Sequence, residues 1–327
     1  MPDVARVGGE LGARDHLSPL AGVHPSVEHP RFAGPVLVTG ASGFIGRHLC
    51  SHLAAAGEDV HAVIRATAAS GVCGRPEVTI HTLQDSSAEY AAVADAVHPA
   101  VVFHLATFFA PHHDPTQIAA MVEANVTFGT AVADAAARGG ARMVHVTSAW
   151  QHYEGAEYSP VSLYAGTKQA LCDVVRYFTE CEGLTAQEVC LFDTYGPCDD
   201  RQKLVGLLLE HAASGAPLPM SSGHQLIDLT HVDDVVAALV HAGTSPPLGT
   251  RLVARSGHPV SIRSLAVLVE QVTGRGIDTR WDTRPPRPRE MEQDWVVPGA
   301  KTSWRPRVDL ASGLAQLWDE RNGRAGG

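Results

Sequence analysis

The sequence predicts an α/β protein: a Rossmann-type, doubly wound parallel sheet with a smaller C-terminal α/β substrate lobe. A glycine-rich turn joins the first apolar strand to a helix, short apolar strands then alternate with helices, and after residue 195 prolines interrupt shorter segments. Strands that alternate with helices form parallel sheets covered on both faces. The 327 residues are enough to bury such a core.

The first strand runs into the turn of Val36 to Gly46 (VLVTGASGFIG), which has the glycine spacing G-x-x-G-x-x-G. A helix start presents unpaired backbone N–H groups and the positive end of the helix dipole, so it binds anions. Gly40 permits the tight turn, Gly43 lets a pyrophosphate approach the backbone, and Gly46 lets the helix lie against the strand. The order strand, turn, helix therefore predicts a dinucleotide site rather than an ordinary loop.

Apolar runs and their spacing predict the remaining elements. Strands are predicted at 59–65, 78–83, 101–106, 142–147 and 186–191, and helices at 44–57, 88–97, 116–138, 161–181, 203–214, 232–242, 262–273 and 310–320. The run RPPRPR at 284–289 is predicted to be a loop, because proline has no N–H to donate. The expected domains are a mobile arm at 1–33, a cofactor-binding domain at 34–195 and a substrate lobe at 196–327, parts of which return to the first domain.

The overall composition limits the partners. The net charge is −10 and no basic stripe neutralises phosphates, so nucleic acid is not expected as a partner. The six cysteines show no C-x-x-C pair and no zinc-type spacing, which predicts reduced thiols and no metal site. No apolar run reaches the roughly 18 residues of a membrane span and no signal peptide is recognisable, so a cytoplasmic protein without membrane contact is expected.

The residue at the end of the second strand indicates the cofactor. Enzymes that prefer NAD place an acidic residue there, which accepts from the ribose 2′-hydroxyl and repels a 2′-phosphate. This chain has Arg65. A guanidinium matches a phosphate in charge and geometry, which predicts NADP(H) over NAD. The alternative is that Arg65 is a solvated residue at a strand end.

Tyr164 and Lys168 form the pattern Y-x-x-x-K, which places both side chains on one face of a helix. An ammonium one turn away is expected to lower the pKa of the tyrosine hydroxyl, which is about 10 when unperturbed. Such a pair can give and take a proton at a carbonyl. A helix-surface pair is the alternative, but the position directly after a strand ending in Thr147 and Ser148 favours catalysis.

Further motifs occur along the chain in a fixed order. They are TGASGFIG at 39–46, HLA at 104–106, Asn125 within EANVTFGT, YAGTK at 164–168, DTYGP at 193–197, HVDDVV at 231–236 and WRPRVDL at 304–310. With these motifs the chain resembles the short-chain dehydrogenase/reductase superfamily, in its extended branch that acts on nucleotide sugars. The segments 147–170 and 191–197 are most similar to nucleotide-sugar 4-ketoreductases and epimerases of deoxysugar pathways.

The resemblance implies three catalytic groups. Tyr164 is the acid and base, Lys168 holds the nicotinamide ribose and tunes Tyr164, and a Ser or Thr after the fifth strand orients the sugar carbonyl. Counted back from Tyr153, the family's Ser/Thr position falls on Ala149, which departs from the family pattern. Either of the two preceding hydroxyl residues can then take the role. They are Ser148 and, as the second choice, Thr147.

The reaction type follows from the same stretch. Dehydratases of this branch carry an Asp-Glu pair where this chain has Trp150 and Gln151, so dehydration is not expected. The expected activity is NADPH-dependent reduction of the C4 carbonyl of a nucleotide (dTDP) 4-keto-6-deoxysugar in a deoxysugar or antibiotic pathway. The alternatives are a nucleotide-sugar 4-epimerase with bound NAD, an NADPH-dependent reductase of a non-nucleotide ketone, and a non-catalytic NADP-binding regulator. A homodimer through the helices at 116–138 and 161–181 is implied.

Two sets of binding residues complete the expected site. The cofactor set is Gly40, Ser42, Gly43, Phe44, Ile45, Gly46, Arg65, Asp85, Leu105, Ala106, Thr107, Asn125, Tyr164 and Lys168. The substrate set is Trp150, Gln151, Asp193, Thr194, Lys203, Arg263, Arg287 and Arg289. Alternatives remain for Asp85 as a helix cap and for Asn125 as part of a polar helix face. The acidic chain must hold a diphosphate by local cations, among which Arg201 is expected instead to be a solubilising surface residue.

Overall fold

The computed structural model describes residues 31–67, 76–84, 86–246, 251–300 and 304–323. Most of the predicted N-terminal arm therefore lies outside the described residues, and so does Asp85.

Thirteen strands are found in the described residues. In chain order they are β1 (Val36–Thr39), β2 (Val60–Arg65), β3 (Val78–Leu83), β4 (Val101–His104), β5 (Arg142–Ser148), β6 (Ala186–Leu191), β7 (Asp193–Tyr195), β8 (Leu218–Pro219), β9 (Leu226–Ile227), β10 (Leu229–His231), β11 (Leu252–Ala254), β12 (Val260–Ser261) and β13 (Thr279–Arg280). Seven of them form one sheet in the order β11-β6-β5-β4-β1-β2-β3. Every pair in that sheet is parallel, which confirms the predicted Rossmann-type class.

Helices cover both faces of this sheet. They are α1 (Phe44–Ala55), α2 (Ser86–Val97), α3 (Ile118–Val122), α4 (Phe128–Gly139), α5 (Leu163–Cys181), α6 (Leu204–Ser214), α7 (Val232–Thr244), α8 (Ile262–Thr273) and α9 (Leu310–Gly323). On one face α1 and α7 enclose a core that includes Leu49, Val144 and Val235. On the other face α2, α4 and α5 pack on the sheet around Tyr90 and Leu171. Because α7 and β11 follow residue 196 in the chain, the C-terminal part contributes to the first core.

The helix predicted at 116–138 is divided in the structure. A short turn at Pro115–Gln117 leads into α3, and a π-helical turn at Glu123–Thr127 separates α3 from α4. The π-turn contains Asn125, which is fully buried and hydrogen-bonded to neighbouring segments. Such turns admit one extra residue into a helix and occur often at functional sites. Apolar periodicity does not report this insertion, because α3 and α4 keep the same general direction.

The C-terminal region forms a second, smaller body of helices and short strands. Its core joins α6, α8 and α9 around Leu208, Leu265 and Leu314. Two-stranded pairs connect β7 with β10, β9 with β12, and β8 with β13. These strands are two or three residues long, which is too short for an alternating pattern to predict them. The run 284–289 is neither helix nor strand, as predicted.

Within the described residues, no helix combines the length and the apolar character that a membrane span requires. The five cysteines of the described chain are not paired in disulfides, and Cys73 lies outside it. The described residues also contain no cluster of three or more side chains suited to hold a metal ion.

Candidate active site

A cavity of 540 Å³ opens at the carboxyl ends of the parallel strands. Ligands of open α/β sheets bind at this edge, because the loops that follow the strands meet there. The cavity is lined by the glycine turn, by the ends of β2, β4 and β5, by the first turns of α5 and by the segment that links β6 to α6. The chain has three lysines, and two of them, Lys168 and Lys203, are in this lining.

The glycine turn forms one end of the cavity and is packed too closely for side chains. Gly40 has a φ of +70°, and a Cβ there would lie 2.6 Å from the backbone nitrogen of Ala106. A Cβ at Gly46 would overlap the carbonyl oxygen of Gly40. Gly43 caps α1 in extended conformation, and no acidic residue lies in the first turn of that helix. The exposed N–H groups and the helix dipole therefore suit a pyrophosphate, which fits a dinucleotide.

All six expected turn residues line the cavity, as do Arg65, Leu105, Ala106 and Thr107. Arg65 is exposed at the end of β2. No carboxylate of the described residues forms an ion pair with it, so its guanidinium is available to a ligand phosphate.

Asn125 does not line the cavity with its side chain, so its prediction as a cofactor-binding residue is corrected. Its Oδ1 accepts from the hydroxyl of Thr107 and the backbone nitrogen of Phe108, at 3.0 and 2.6 Å. Its Nδ2 donates to the carbonyl of Phe108 and to the hydroxyl of Thr167, at 3.0 and 2.9 Å. Because all four hydrogen-bonding positions are used within the protein, Asn125 holds the loop after β4 against α5, the helix that carries Tyr164 and Lys168.

Tyr164 lies in the first turn of α5, whose N-cap Ser162 accepts from the backbone nitrogen of Ala165. Its ring is buried and meets the edge of Phe109, with ring centroids 5.0 Å apart. Burial raises the pKa of the Tyr164 hydroxyl, and a hydrogen bond with Thr107 offsets part of that rise. The phenol is therefore protonated at neutral pH.

Lys168 is buried one turn further along α5. Its Nζ lies 5.9 Å from the Tyr164 ring centroid and donates to the carbonyl of Val146 at 3.1 Å. Burial lowers the pKa of Lys168 to about 8. The expected lowering of the Tyr164 pKa by this ammonium is wrong for this arrangement, because the ammonium lies over the ring and burial of the hydroxyl has the larger effect.

The two hydroxyl candidates at the end of β5 have different partners. Thr147 is buried and its Oγ1 donates to Oε1 of Glu188 at 2.7 Å. Ser148 accepts from the backbone nitrogen of Trp150 at 3.2 Å, which leaves its own O–H available as a donor. Both residues line the cavity, but only Ser148 has an uncommitted hydroxyl proton.

Trp150 lines the cavity, whereas Gln151 is fully buried behind it. The Gln151 side chain accepts from the backbone nitrogen of Ser148 and donates to Gln169, each at 3.0 Å. Its prediction as a substrate-binding residue is therefore corrected, because its amide is used to support the turn after β5.

The segment after β6 lines another part of the cavity with Asp193, Thr194, Arg201 and Lys203, and its Arg201 guanidinium stacks on the ring of Phe44 in the glycine turn at 4.2 Å. The Lys203 amine lies 4.2 Å from the ring centroid of Phe109. Arg201 lines the cavity and is not a solvated surface arginine, which corrects the expectation for it. Asp199 and the carbonyl of Thr194 hold its guanidinium in place.

The three other expected arginines do not line the cavity. Arg263 donates to the carbonyl of Ser222 at 2.7 Å and packs on Trp281, and Arg289 donates to Ser159 at 2.6 Å and packs on Tyr153. Arg263 and Arg289 therefore lie outside the cavity in which the substrate is expected. Arg287 is outside the lining, but its charge acts on Asp193.

Sequence reasoning missed two cavity residues that bear on the chemistry. Phe109 packs on Tyr164 and is 40% exposed, and Glu123 lies in the π-turn. Phe109 stands in no recognisable motif, whereas Glu123 begins the motif EANVTFGT, in which only Asn125 was singled out. The only sequence signal is that the apolar pair Phe108-Phe109 follows directly on a predicted strand end.

Comparisons with known proteins agree with this geometry. The model of the NAD dependent epimerase/dehydratase family matches residues 36–251. The UDP-glucose 4-epimerase of Mycolicibacterium smegmatis is 28% identical over 308 residues, which cover 86% of this chain and 96% of that protein. The CDP-abequose synthase of Salmonella typhimurium is 23% identical over 298 residues, with the same coverage of 86% and 96%.

Among solved structures, the UDP-glucose 4-epimerase of Thermus thermophilus in complex with NAD superimposes with a TM-score of 0.78 at 22% identity. The match covers 88% of this chain and 99% of that one, and at this identity it speaks for the fold alone. The family match spans most of the sheet and the whole cavity lining from the glycine turn to Lys203. The chain therefore belongs to the NAD dependent epimerase/dehydratase family and is an NAD(P)-dependent enzyme of the extended short-chain dehydrogenase/reductase type.

Proposed function

We propose that this enzyme exchanges a hydride between a nicotinamide dinucleotide and C4 of a nucleotide sugar. The observation that carries the proposal is that Tyr164 and Lys168 line the same cavity as the glycine turn and Lys203. The glycine turn suits the pyrophosphate of the dinucleotide, and the cationic Lys203 suits the diphosphate of the sugar nucleotide. The names of the two relatives, which refer to UDP-glucose and CDP-abequose, support this substrate class.

The cofactor, when bound, supplies or accepts the hydride. We propose that the glycine turn binds its pyrophosphate and that Lys168 donates to its ribose hydroxyls. Lys168 suits this role because it is buried and makes one hydrogen bond within the described residues, to Val146. Two of its three N–H donors are therefore available.

The catalytic roles follow from the protonation states. Tyr164 is a neutral phenol at neutral pH in the protein without cofactor, so it can protonate an oxygen that develops at C4. Oxidation of a C4 hydroxyl, which is the first half of an epimerisation, needs the phenolate instead; the positive charge of an oxidised nicotinamide would favour that form, and Tyr164 would then accept the hydroxyl proton. Ser148 donates its free O–H to the same oxygen. We assign this role to Ser148 rather than Thr147, because the Thr147 proton is committed to Glu188.

The leading reaction is 4-epimerisation with retained NAD. The support is the UDP-glucose 4-epimerase from Mycolicibacterium smegmatis, which is 28% identical and aligns over 86% of the chain. In this reaction the hydride taken from C4 returns to the opposite face of the same carbon. There is then no net consumption of cofactor, and no dinucleotide needs to be exchanged between turnovers.

One observation favours a second reaction, the NADPH-dependent reduction of a nucleotide 4-keto-6-deoxysugar. Arg65 lines the cavity at the point where the adenine ribose of a dinucleotide is expected, and no acidic residue stands in its place. A guanidinium favours the 2′-phosphate of NADP(H). A net reductase draws on NADPH and releases NADP+ after each turnover.

One assay separates the two reactions. The purified enzyme is incubated with UDP-glucose and the products are separated by chromatography, while a parallel sample with dTDP-4-keto-6-deoxyglucose and NADPH is followed at 340 nm. Formation of UDP-galactose without net absorbance change supports the epimerase, and NADPH oxidation supports the reductase. Tyr164→Phe must remove whichever activity is seen. Absence of both activities, together with absence of hydride transfer from any nucleotide sugar, overturns the proposal.

We also propose a homodimer through the helices of residues 118–139 and 163–181. Ile118, Val122 and Tyr177 on these helices are 41%, 40% and 51% exposed, which leaves apolar surface for a partner copy. Light scattering coupled to size-exclusion chromatography tests this, and a monomeric mass at micromolar concentration would rule it out.

A further inference from the structure

An acidic group, the carboxylate of Asp193, lies in the substrate end of the cavity. Asp193 begins β7, immediately after the end of β6, and lies in the lining between Phe192 and Thr194. Its backbone nitrogen donates to the carbonyl of Asp228 at 3.1 Å, which fixes the residue in place. Burial raises the pKa of Asp193, although Lys203, Arg201 and Arg287 act in the opposite direction. The surrounding cations therefore do not fully replace the water that the carboxylate has lost.

None of the three cations neutralises Asp193 by a direct ion pair. The Lys203 amine lies on the ring of Phe109, and the Arg201 guanidinium is bound by Asp199 at 2.6 and 2.7 Å. Arg287 lies outside the cavity lining. Among the described residues, none of them approaches Asp193 within ion-pair distance, and no side chain or backbone group donates a hydrogen bond to its carboxylate. Asp193 is half-buried, and a partly desolvated carboxylate without protein donors can accept a hydrogen bond from a ligand in the cavity.

Asp193 is also electrostatically coupled to the reacting position. Its charge contributes to the raised pKa of Tyr164. Tyr164 and Asp193 line the same cavity, so a hexose whose C4 oxygen meets Tyr164 can place another ring substituent beside Asp193. A hydroxyl there can donate to the carboxylate. A carboxylate at C6 has no proton to donate and adds a second negative charge beside the first.

We propose, on the basis of the proposed function, that Asp193 selects the sugar: it accepts a hydrogen bond from a hydroxyl of a neutral hexose and excludes nucleotide sugars with a C6 carboxylate. The substrate class is thus narrowed to nucleotide sugars without acidic hexose groups. The diphosphate is bound at Lys203, so the selection concerns the hexose and not the nucleotide.

Titration calorimetry with UDP-glucose and UDP-glucuronate, in the presence of saturating NAD, tests this inference. The wild type should bind UDP-glucose at least about 10-fold more tightly than UDP-glucuronate, which is the scale of one like-charge contact. Asp193→Asn should bring the ratio of the two dissociation constants to within about 3-fold of one, by weakening the first sugar and strengthening the second. Asp200→Asn is the matched control: it removes one negative charge from the same segment, but Asp200 is exposed and outside the lining, so the ratio should not change.

The outcomes separate the selection from the reaction. Equal affinity of the wild type for both sugars overturns the inference, whatever the variants do. An unchanged ratio in a folded Asp193→Asn, checked by its thermal unfolding, overturns it as well. If the wild type binds the two sugars selectively and Asp193→Asn abolishes the selectivity, the inference stands. If the enzyme in that case exchanges no hydride, the proposed reaction is overturned. Binding of neither sugar overturns both.

Discussion

The two ends of the cavity are built in different ways. The cofactor end is one continuous turn of seven residues, 40–46, whose backbone N–H groups and missing side chains make the site. The substrate end is made by side chains from separate segments, namely Phe109, Trp150, Tyr164, Asp193 and Lys203. A backbone site depends on local conformation, whereas a side-chain site depends on the packing of the whole fold. Substitutions at the first end should therefore change folding and cofactor binding, and substitutions at the second should change chemistry and selectivity.

The largest expected effect is at the substrate end. Tyr164→Phe removes the proton donor and keeps the ring packed on Phe109, so kcat should fall by about 10²–10⁴-fold while cofactor affinity stays within about 3-fold. Steady-state kinetics and cofactor titration measure the two quantities. Tyr158→Phe, at a hydroxyl that is half exposed, is the control and should be neutral. A comparable loss of cofactor affinity in Tyr164→Phe would contradict the separation of the two ends.

At the cofactor end, an added methyl group should lower the stability of the fold. Gly46→Ala places a Cβ against the backbone of Gly40 and Ala41, and overpacking of this kind lowers the free energy of unfolding by about 1–3 kcal/mol. Gly206→Ala in α6 is the matched control, since no atom lies within 4 Å of its Cβ. That exposed helix position should gain up to about 1 kcal/mol from the better helix former. Urea unfolding measures both, and equal effects would refute the steric explanation.

Arg65 is the residue that we propose to distinguish NADP(H) from NAD(H). Arg65→Ser should weaken NADPH by about 10–100-fold, the contribution of charge-assisted hydrogen bonds to a phosphate, and should leave NADH nearly unchanged. Fluorescence titration with each cofactor gives the two affinities. Arg176→Ser, on the exposed side of α5, is the control. Equal affinity of the wild type for NADPH and NADH would show that Arg65 does not read the phosphate.

The smallest expected effect is a gradual change of activity and stability with pH. The pKa of Lys168 is lowered to about 8, so Lys168 is charged below that pH and neutral above it. If its charge holds the ribose, kcat/KM should fall about 10-fold per pH unit as pH rises beyond 8. The free energy of unfolding should instead increase as pH rises from 8 to 10.5, because in this range the unfolded chain binds more protons than the folded one. A flat kcat/KM profile up to about pH 9.5 would exclude a required ammonium.

The difference between a backbone site and a side-chain site also decides which parts of the site could be predicted from the sequence. The glycine turn, Arg65, Tyr164 and Lys168 are all in the cavity lining, as their motifs predict. The sequence predicts Gln151 and Asn125 as ligand contacts, but both side chains are buried and form hydrogen bonds with the protein itself. Polar residue type in a motif indicates that a side chain needs partners. It does not say whether those partners are ligand or protein.

The arginines show that residue type is also insufficient to predict where a charged side chain lies. The loop 284–289 was predicted correctly as irregular structure, but its Arg289 turns to Ser159 and Tyr153, while Arg201, expected at the surface, enters the cavity. Charge alone does not place a flexible side chain. Its position depends on which carbonyl or carboxylate is nearest after folding, and for Arg201 that is Asp199 and Thr194.

By itself the sequence determined the fold class, the glycine turn, the family and the presence of the Y-x-x-x-K pair on one helix, because each depends on periodicity or spacing over a few residues. Only the tertiary structure decided that Ser148 rather than Thr147 keeps a free hydroxyl proton, that burial raises the pKa of Tyr164, and that Asp193 faces the cavity without a donor. The physical reason is common to all three. Burial and hydrogen-bond partners come from segments that are far apart in the chain, such as β5 and β6, and exist only once those segments pack together.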